Sequence, residues 1–291
     1  MNRLWVVLVA SVLLVLAAQP VSASIADKRN DYNGDGVSDL IAISDDCLYR
    51  WNGNGRGGFG PATVVGCGWS PYEDALAAVG DITGDGRADL VALDATWDGD
   101  QVRSCLWRWS GAGASGFGVR TLLGCGWEDF WVNGIVGAGD LNNDGAGDLL
   151  GVSSAGVLYR WNGTGTGTFG AGTQVGGGWY GSYENTVTGA GDLNRDGNAD
   201  IVAISRSDNC LYRWSGNGQG GFGTGTRLGC GWVEYTTNIA GMGDLNRDGP
   251  GDLVAVYDLT GELVRWSGDG AGGYGTGVQI GGGWAQVSFG R

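Results

Sequence analysis

A nine-residue pattern, Asp-x-(Asn/Thr)-x-Asp-Gly-x-x-Asp, begins at Asp31, Asp81, Asp140, Asp192 and Asp244, so the chain must fold from five copies of one unit. The starts lie 50, 59, 52 and 52 residues apart. Each pattern is followed by an apolar run such as Leu40-Ile41-Ala42-Ile43, then by Leu-Tyr-Arg-Trp or a near copy ending at Trp51, Trp109, Trp161, Trp214 or Trp266. A glycine-rich turn leads to Phe59, Phe117, Phe169, Phe222 or Tyr274, and the unit closes on Gly-Trp at Trp69, Trp127, Trp179, Trp232 or Trp284. These short runs rich in Val, Ile, Tyr and Trp, punctuated by Gly and Asp, predict four strands per unit, and no window carries a helical period of useful length. The small residues before each aspartate loop, as in Thr188-Gly189-Ala190-Gly191, suit a crowded innermost strand. The expectation is an all-β chain, a five-bladed β-propeller of four-stranded antiparallel blades. A β-helix would have shorter rungs, and paired sandwiches would not repeat five times. Only seven residues follow Trp284, whereas Asp244 stands twelve positions after Trp232, which favours Ile25 to Asn30 over the C-terminus as the inner strand of blade 1.

Composition narrows the chemistry. With no His in 291 residues, the commonest general base and every His-ligated metal site are excluded. A net charge of -14 argues against a nucleic-acid partner. Residues 1–23 read as a secretory signal: Arg3 precedes an apolar run from Leu4 to Ala18, and Val21-Ser22-Ala23 offers a cleavage site. That run is shorter than a spanning helix needs, so the mature chain from 24 to 291 is expected to be a single secreted propeller without a membrane span.

The aspartate loop places oxygen side chains at its first, third, fifth and ninth positions: Asp31, Asn33, Asp35, Asp39; Asp81, Thr83, Asp85, Asp89; Asp140, Asn142, Asp144, Asp148; Asp192, Asn194, Asp196, Asp200; Asp244, Asn246, Asp248, Asp252. A hard cation such as calcium takes six to eight oxygens, and alternating side chains converge on one point only if the chain turns sharply, as Gly at the sixth position allows. Three carboxylates in one nine-residue loop would repel one another without a cation. Up to five calcium ions are therefore expected, with the second loop weakest because Thr83 stands where the other loops have Asn.

Cysteines occur as Cys47 with Cys67, Cys105 with Cys125 and Cys210 with Cys230, always 20 apart. The third and fifth units lack both members, so the two come and go together as bonded partners do. In an antiparallel hairpin the start of the third strand faces the end of the fourth, which predicts three disulfides, each inside one blade.

The Asp-x-Asn-x-Asp-Gly-x-x-Asp loops and Phe-Gly turns resemble the integrin-like FG-GAP and VCBS repeat family over residues 31 to 284. The resemblance implies calcium-loaded propeller blades. The units also resemble those of secreted propeller lectins, whose Gly-Gly-Trp-x-x-Tyr/Phe stretch is similar to Gly231-Trp232-Val233-Glu234-Tyr235.

Calcium loops and Phe-Gly turns are expected at one end of each blade, with disulfides and the loops after Gly-Trp at the other. Those second loops set an aromatic and an acid beside each of four Trp: Trp69 with Tyr72 and Glu73, Trp127 with Glu128 and Phe130, Trp179 with Tyr183 and Glu184, Trp232 with Glu234 and Tyr235. An exposed ring beside a carboxylate suits a sugar, so a glycan or another extracellular surface ligand is the expected partner; the Trp themselves are expected to wedge between blades. The recurrent Arg50, Arg108, Arg160, Arg213 and Arg265 are expected to partner nearby carboxylates. Two functions compete, a lectin-like binding module with equivalent sites around the ring and a glycan-acting hydrolase or lyase with paired carboxylates in the channel. Catalysis needs uniquely placed acids, and outside the loops the candidates reduce to Asp45, Asp46, Asp94, Asp98, Asp100 and Asp258. With no acid pair on the innermost strands, no catalytic residue is assigned.

Overall fold

A computed structural model describes residues 30–290 apart from 74, 100, 131–133, 180, 184–185, 236–237 and 286. The expected signal segment and Glu184 lie outside the described residues. The described chain forms five four-stranded antiparallel sheets arranged as a β-propeller. In blades 2 to 5 each sheet runs in chain order from an inner strand, at Leu76–Gly80, Ile135–Gly139, Thr188–Gly191 and Ile239–Gly243, to an outer strand at Thr121–Cys125, Thr173–Gly177, Thr226–Cys230 and Val278–Gly281. The aspartate loop joins the first strand to the second, and the second strands, such as Asp148–Val152 and Asp200–Ser205, are buried along their whole length. That burial is what their unbroken apolar sequence requires, because neighbouring blades cover both faces. No helix among the described residues is long and apolar enough to cross a membrane.

Blade 1 closes differently from the sequence expectation. Its inner strand is the C-terminal Ser288–Phe289, paired antiparallel with Ala42 and Ile43; of the segment expected there, 25–29 lie outside the described residues. Asn30 sits in a turn, where its Nδ2 donates to the carbonyl of Gly241 on the inner strand of blade 5. The physical reason lies in the connection length. The inner strands of blades 2 to 5 start seven to nine residues after Gly-Trp, whereas Ser288 comes four residues after Trp284, so the shortened connection fits a two-residue strand into the seven residues beyond Trp284. The ring is sealed by Leu40 and Ala42 of blade 1 packing with Val254, Val256 and Leu263 of blade 5.

Cys47, Cys105 and Cys210 stand directly opposite Cys67, Cys125 and Cys230 across the third and fourth strands. All three pairs are disulfide-bonded as expected.

Two cyclic sets of contacts join the blades. Each Gly-Trp ring stacks on the Trp that ends the third strand of the next blade: Trp69 on Trp109, Trp127 on Trp161, Trp179 on Trp214, Trp232 on Trp266 and Trp284 on Trp51, with ring centroids 4.6 to 4.7 Å apart. This is the wedge role expected of them. The recurrent Arg partners carboxylates as expected, but through charge: Arg50, Arg160, Arg213 and Arg265 favour the ionised forms of Asp39, Asp148, Asp200 and Asp252, while their hydrogen bonds go to backbone. Arg50 donates to the carbonyl of Gly113 at 3.2 Å, Arg160 to that of Gln219 at 2.9 Å, Arg265 to that of Arg56 at 3.4 Å and Arg108 to that of Gly167, each in the glycine-rich turn of the next blade. Arg213 reaches the corresponding turn at Gly272. A side chain at Gly57, Gly167, Gly220 or Gly272 would occupy the space of the guanidinium, and all four have positive φ, so these turns need Gly twice over.

Candidate functional site: aspartate loops and inter-blade clefts

The aspartate loops and the Phe-Gly turns share one end of each blade. In every blade the ninth-position carboxylate accepts the turn's backbone N–H, from Gly53, Gly111, Gly163, Gly216 or Gly268, at 2.9 to 3.2 Å. The first carboxylate caps the loop. Asp31, for example, accepts the N–H groups of Gly34, Asp35 and Gly36, and Asp192 those of Asp196 and Gly197. The third-position amide donates to the fifth-position carboxylate in four loops, at 2.7 to 3.0 Å for Asn33, Asn142, Asn194 and Asn246. Thr83 instead donates to Asp81 at 3.2 Å and leaves Asp85 without that bond.

Burial dominates the electrostatics of the ninth position. It pushes the carboxyls of Asp39, Asp148 and Asp252 up to about 7 and that of Asp200 to about 6, and it raises Asp89 as well. The Oδ2 atoms of Asp200 and Asp252 are buried without a hydrogen-bond partner. Carboxylate and amide oxygens are hard donors, and two orphaned buried carboxylate oxygens fit a cation better than they fit a dry core. Among the described residues no three His, Cys, Asp or Glu side chains are drawn around a common point, since the first and ninth carboxylates face loop N–H groups.

At the opposite end, the loops after Gly-Trp lead into the clefts between blades. The structure brings the loop aromatic of each unit onto the stacked Trp pair: Phe130 lies 4.9 Å from Trp161, Tyr183 5.0 Å from Trp214 and Tyr235 5.0 Å from Trp266, all edge-on. A fourth ring completes each cluster, namely Tyr159 beside Phe130, Tyr212 beside Tyr183 and Tyr257 beside Tyr235. Between blades 3 and 4 these rings wall a cleft of about 300 Å³. Gly177, Gly178 and Gly225 form its remaining surface, so its lining carries no formal charge.

The loop aromatics are not the free surface rings expected from sequence. Tyr72 is only 4% exposed and belongs to the core between blades 1 and 2, while Phe130, Tyr183 and Tyr235 are half-buried. Glu128 turns away to accept the backbone N–H of Ser104 at 3.1 Å. Among the described residues, the acid that touches the blade 3/4 cluster is Asp208, which accepts the Tyr212 hydroxyl at 2.8 Å and is held below the usual carboxylate range by hydrogen bonds from Ser205 and Tyr212. Tyr159, Tyr212 and the third-strand Trp escaped the sequence reading as site residues. Their signal was present, because residues two apart on a strand share a face and Leu-Tyr-Arg-Trp sets Tyr beside Trp.

Comparison with known proteins agrees with this architecture. The FG-GAP-like repeat matches residues 31–92, 140–203 and 192–255. No curated protein matches the chain. Among solved structures, the BP39L lectin from Burkholderia pseudomallei is 13% identical, with 86% of this chain and 68% of that chain covered at a TM-score of 0.52. A lectin of Agrocybe aegerita that recognises non-reducing terminal N-acetylglucosamine is 18% identical, with 88% and 79% covered at a TM-score of 0.46. The Tc holotoxin pore of Photorhabdus luminescens is 18% identical, and the chain spans 12% of it at a TM-score of 0.45. At such identities the likeness is one of fold. The repeat itself says more: its matches cover over half of the residues and fall in phase with the blades, and the chain therefore belongs to the FG-GAP-like repeat family.

Proposed function

We propose that this protein is a secreted carbohydrate-binding propeller whose aspartate loops hold calcium and whose inter-blade clefts hold sugar. The carrying observation is the cleft between blades 3 and 4, where four aromatic rings meet glycine backbone and no charged lining. Ring faces match the apolar C–H face of a pyranose, and exposed backbone and tyrosine hydroxyl groups match its hydroxyl edge. The fold likeness to the BP39L lectin supports the same reading. Bound calcium would neutralise the loop carboxylates, and the residues that would hold it are the first, third, fifth and ninth of each loop. The three disulfides are in keeping with export through an oxidising compartment and removal of residues 1–23.

The test is a printed glycan array read with calcium and after metal removal, with the bound oligosaccharide recovered and weighed. Retention of a defined set of glycans, recovered uncleaved, is the expected result. Tyr212→Ala should weaken binding in the cleft between blades 3 and 4 by roughly tenfold, equivalent to about 1.4 kcal/mol, with little change in melting temperature. Retention of no glycan in calcium would refute the reading, and release of shortened glycan would replace it with catalysis.

A further inference from the structure

We infer that the five inter-blade junctions are not equivalent and that Arg120 closes the one between blades 1 and 2, leaving three sugar sites per chain. This rests on the carbohydrate reading above and adds the number of sites and the residue that sets it. The deciding position is the one just before the outer strand. It is Gly172 in blade 3, Gly225 in blade 4 and Gly277 in blade 5, where an added Cβ would come within 2.6 to 2.8 Å of the indole of Trp161, Trp214 or Trp266. Glycine there lets the indole lie against the strand with one side open, and all three of these Trp are half-buried.

Blade 2 has Arg120 at that position. Its guanidinium lies over the ring of Trp107, 4.3 Å from the centroid, and donates to the hydroxyl of Tyr72. Trp109 and Tyr72 are buried, at 8% and 4% exposed, whereas their counterparts Trp214 and Tyr183 are half-buried. The rings of this junction are therefore committed to the core, with a cation laid across the mouth. The junction between blades 5 and 1 fails for another reason. Ala62 takes the place of glycine, and in place of a loop aromatic the ring set edge-on to Trp284 is Phe289 of the inner strand, buried at 3%. Equivalent repeats thus yield unequal sites, open at the 2/3, 3/4 and 4/5 junctions.

The experiment follows tryptophan indole N–H signals of isotope-labelled protein titrated with methyl glycosides of N-acetylglucosamine, galactose, mannose and fucose. Binding stoichiometry is measured in parallel by native mass spectrometry. In the unaltered protein the signals of Trp161, Trp214 and Trp266 should shift with a common glycoside, that of Trp109 should not, and three sugars should bind. Arg120→Gly should bring Trp109 into response and raise the stoichiometry to four. Gly225→Arg should silence Trp214 and lower it to two; Gly225 does not have positive φ, so the side chain strains no backbone and acts by displacing the Trp214 indole, 2.8 Å from its Cβ. Melting curves check that both variants are folded. If no indole responds to any glycoside, the carbohydrate reading itself falls. If the sugars bind but Trp109 already responds in the unaltered protein, or Arg120→Gly adds no site, the assignment of Arg120 is overturned while the carbohydrate reading stands.

Discussion

Gly137→Ala should be among the most destabilising one-carbon changes available in this protein. Gly137 lies on the inner strand of blade 3, and a Cβ there would sit 1.7 Å from the carbonyl oxygen and 2.3 Å from the carbonyl carbon of Ala78, on the inner strand of blade 2. Gly241 meets Gly189 in the same way, at 1.7 Å, so backbone rests on backbone around the axis. Real Cβ contacts stay beyond 3.0 Å, and the obstacle is main chain in a closed ring, so a whole strand must move by more than an ångström. Overpacking a rigid core costs about 1 to 3 kcal/mol or more, and the upper end applies here because no side chain can rotate away. At about 2 to 4 °C per kcal/mol for a domain of this size, the melting temperature should fall by roughly 6 to 12 °C. Gly229→Ala is the control: nothing lies within 4 Å of its Cβ, and its φ is not positive. That change should be neutral or slightly stabilising through the unfolded chain. Calorimetry of both variants in calcium settles the matter, and equal melting temperatures would refute backbone contact between inner strands as the limit on the ring.

Two further outcomes concern the staples of the blades. Replacing Cys210 and Cys230 together by Ser should destabilise by about 3 kcal/mol, the chain-entropy value for a loop of this length, and peptide mapping of unreduced protein should find no pairing between blades. Calcium should raise the melting temperature, with a pH dependence set by the ninth-position carboxylates. Burial lifts Asp148 and Asp252 from 3.8 to about 7 in the folded, metal-free protein, so between those values the folded state holds protons that the unfolded state has lost. Metal-free stability should therefore fall as pH rises from about 4 to about 7, while calcium, which needs the ionised carboxylates, should stabilise most above that window. A calcium-induced shift in melting temperature that is the same at about pH 5 and about pH 8 would contradict this linkage.

The parts of this protein that were legible in its sequence are those made within one unit. The five aspartate loops, the four strands of blades 2 to 5 and the three disulfides all join residues a few to about twenty positions apart, where turn chemistry and strand alternation fix the geometry. Cys47 could meet Cys67 only across a hairpin, whatever the rest of the chain did. The contacts between units were set by how far each blade is rotated from the last, which no single repeat encodes. That rotation sets Trp179 against Trp214, sends the hydrogen bond of Arg160 to the Gln219 carbonyl, and buries Tyr72 while leaving Tyr183 half-buried. It also decides which terminus completes blade 1, because Ser288–Phe289 can reach Ala42 only once five blades have brought the end of the chain back to its beginning. The sequence by itself determined the blades and their staples; the closed ring decided which aromatic faces remain to meet a ligand, because only packing between blades covers or exposes them.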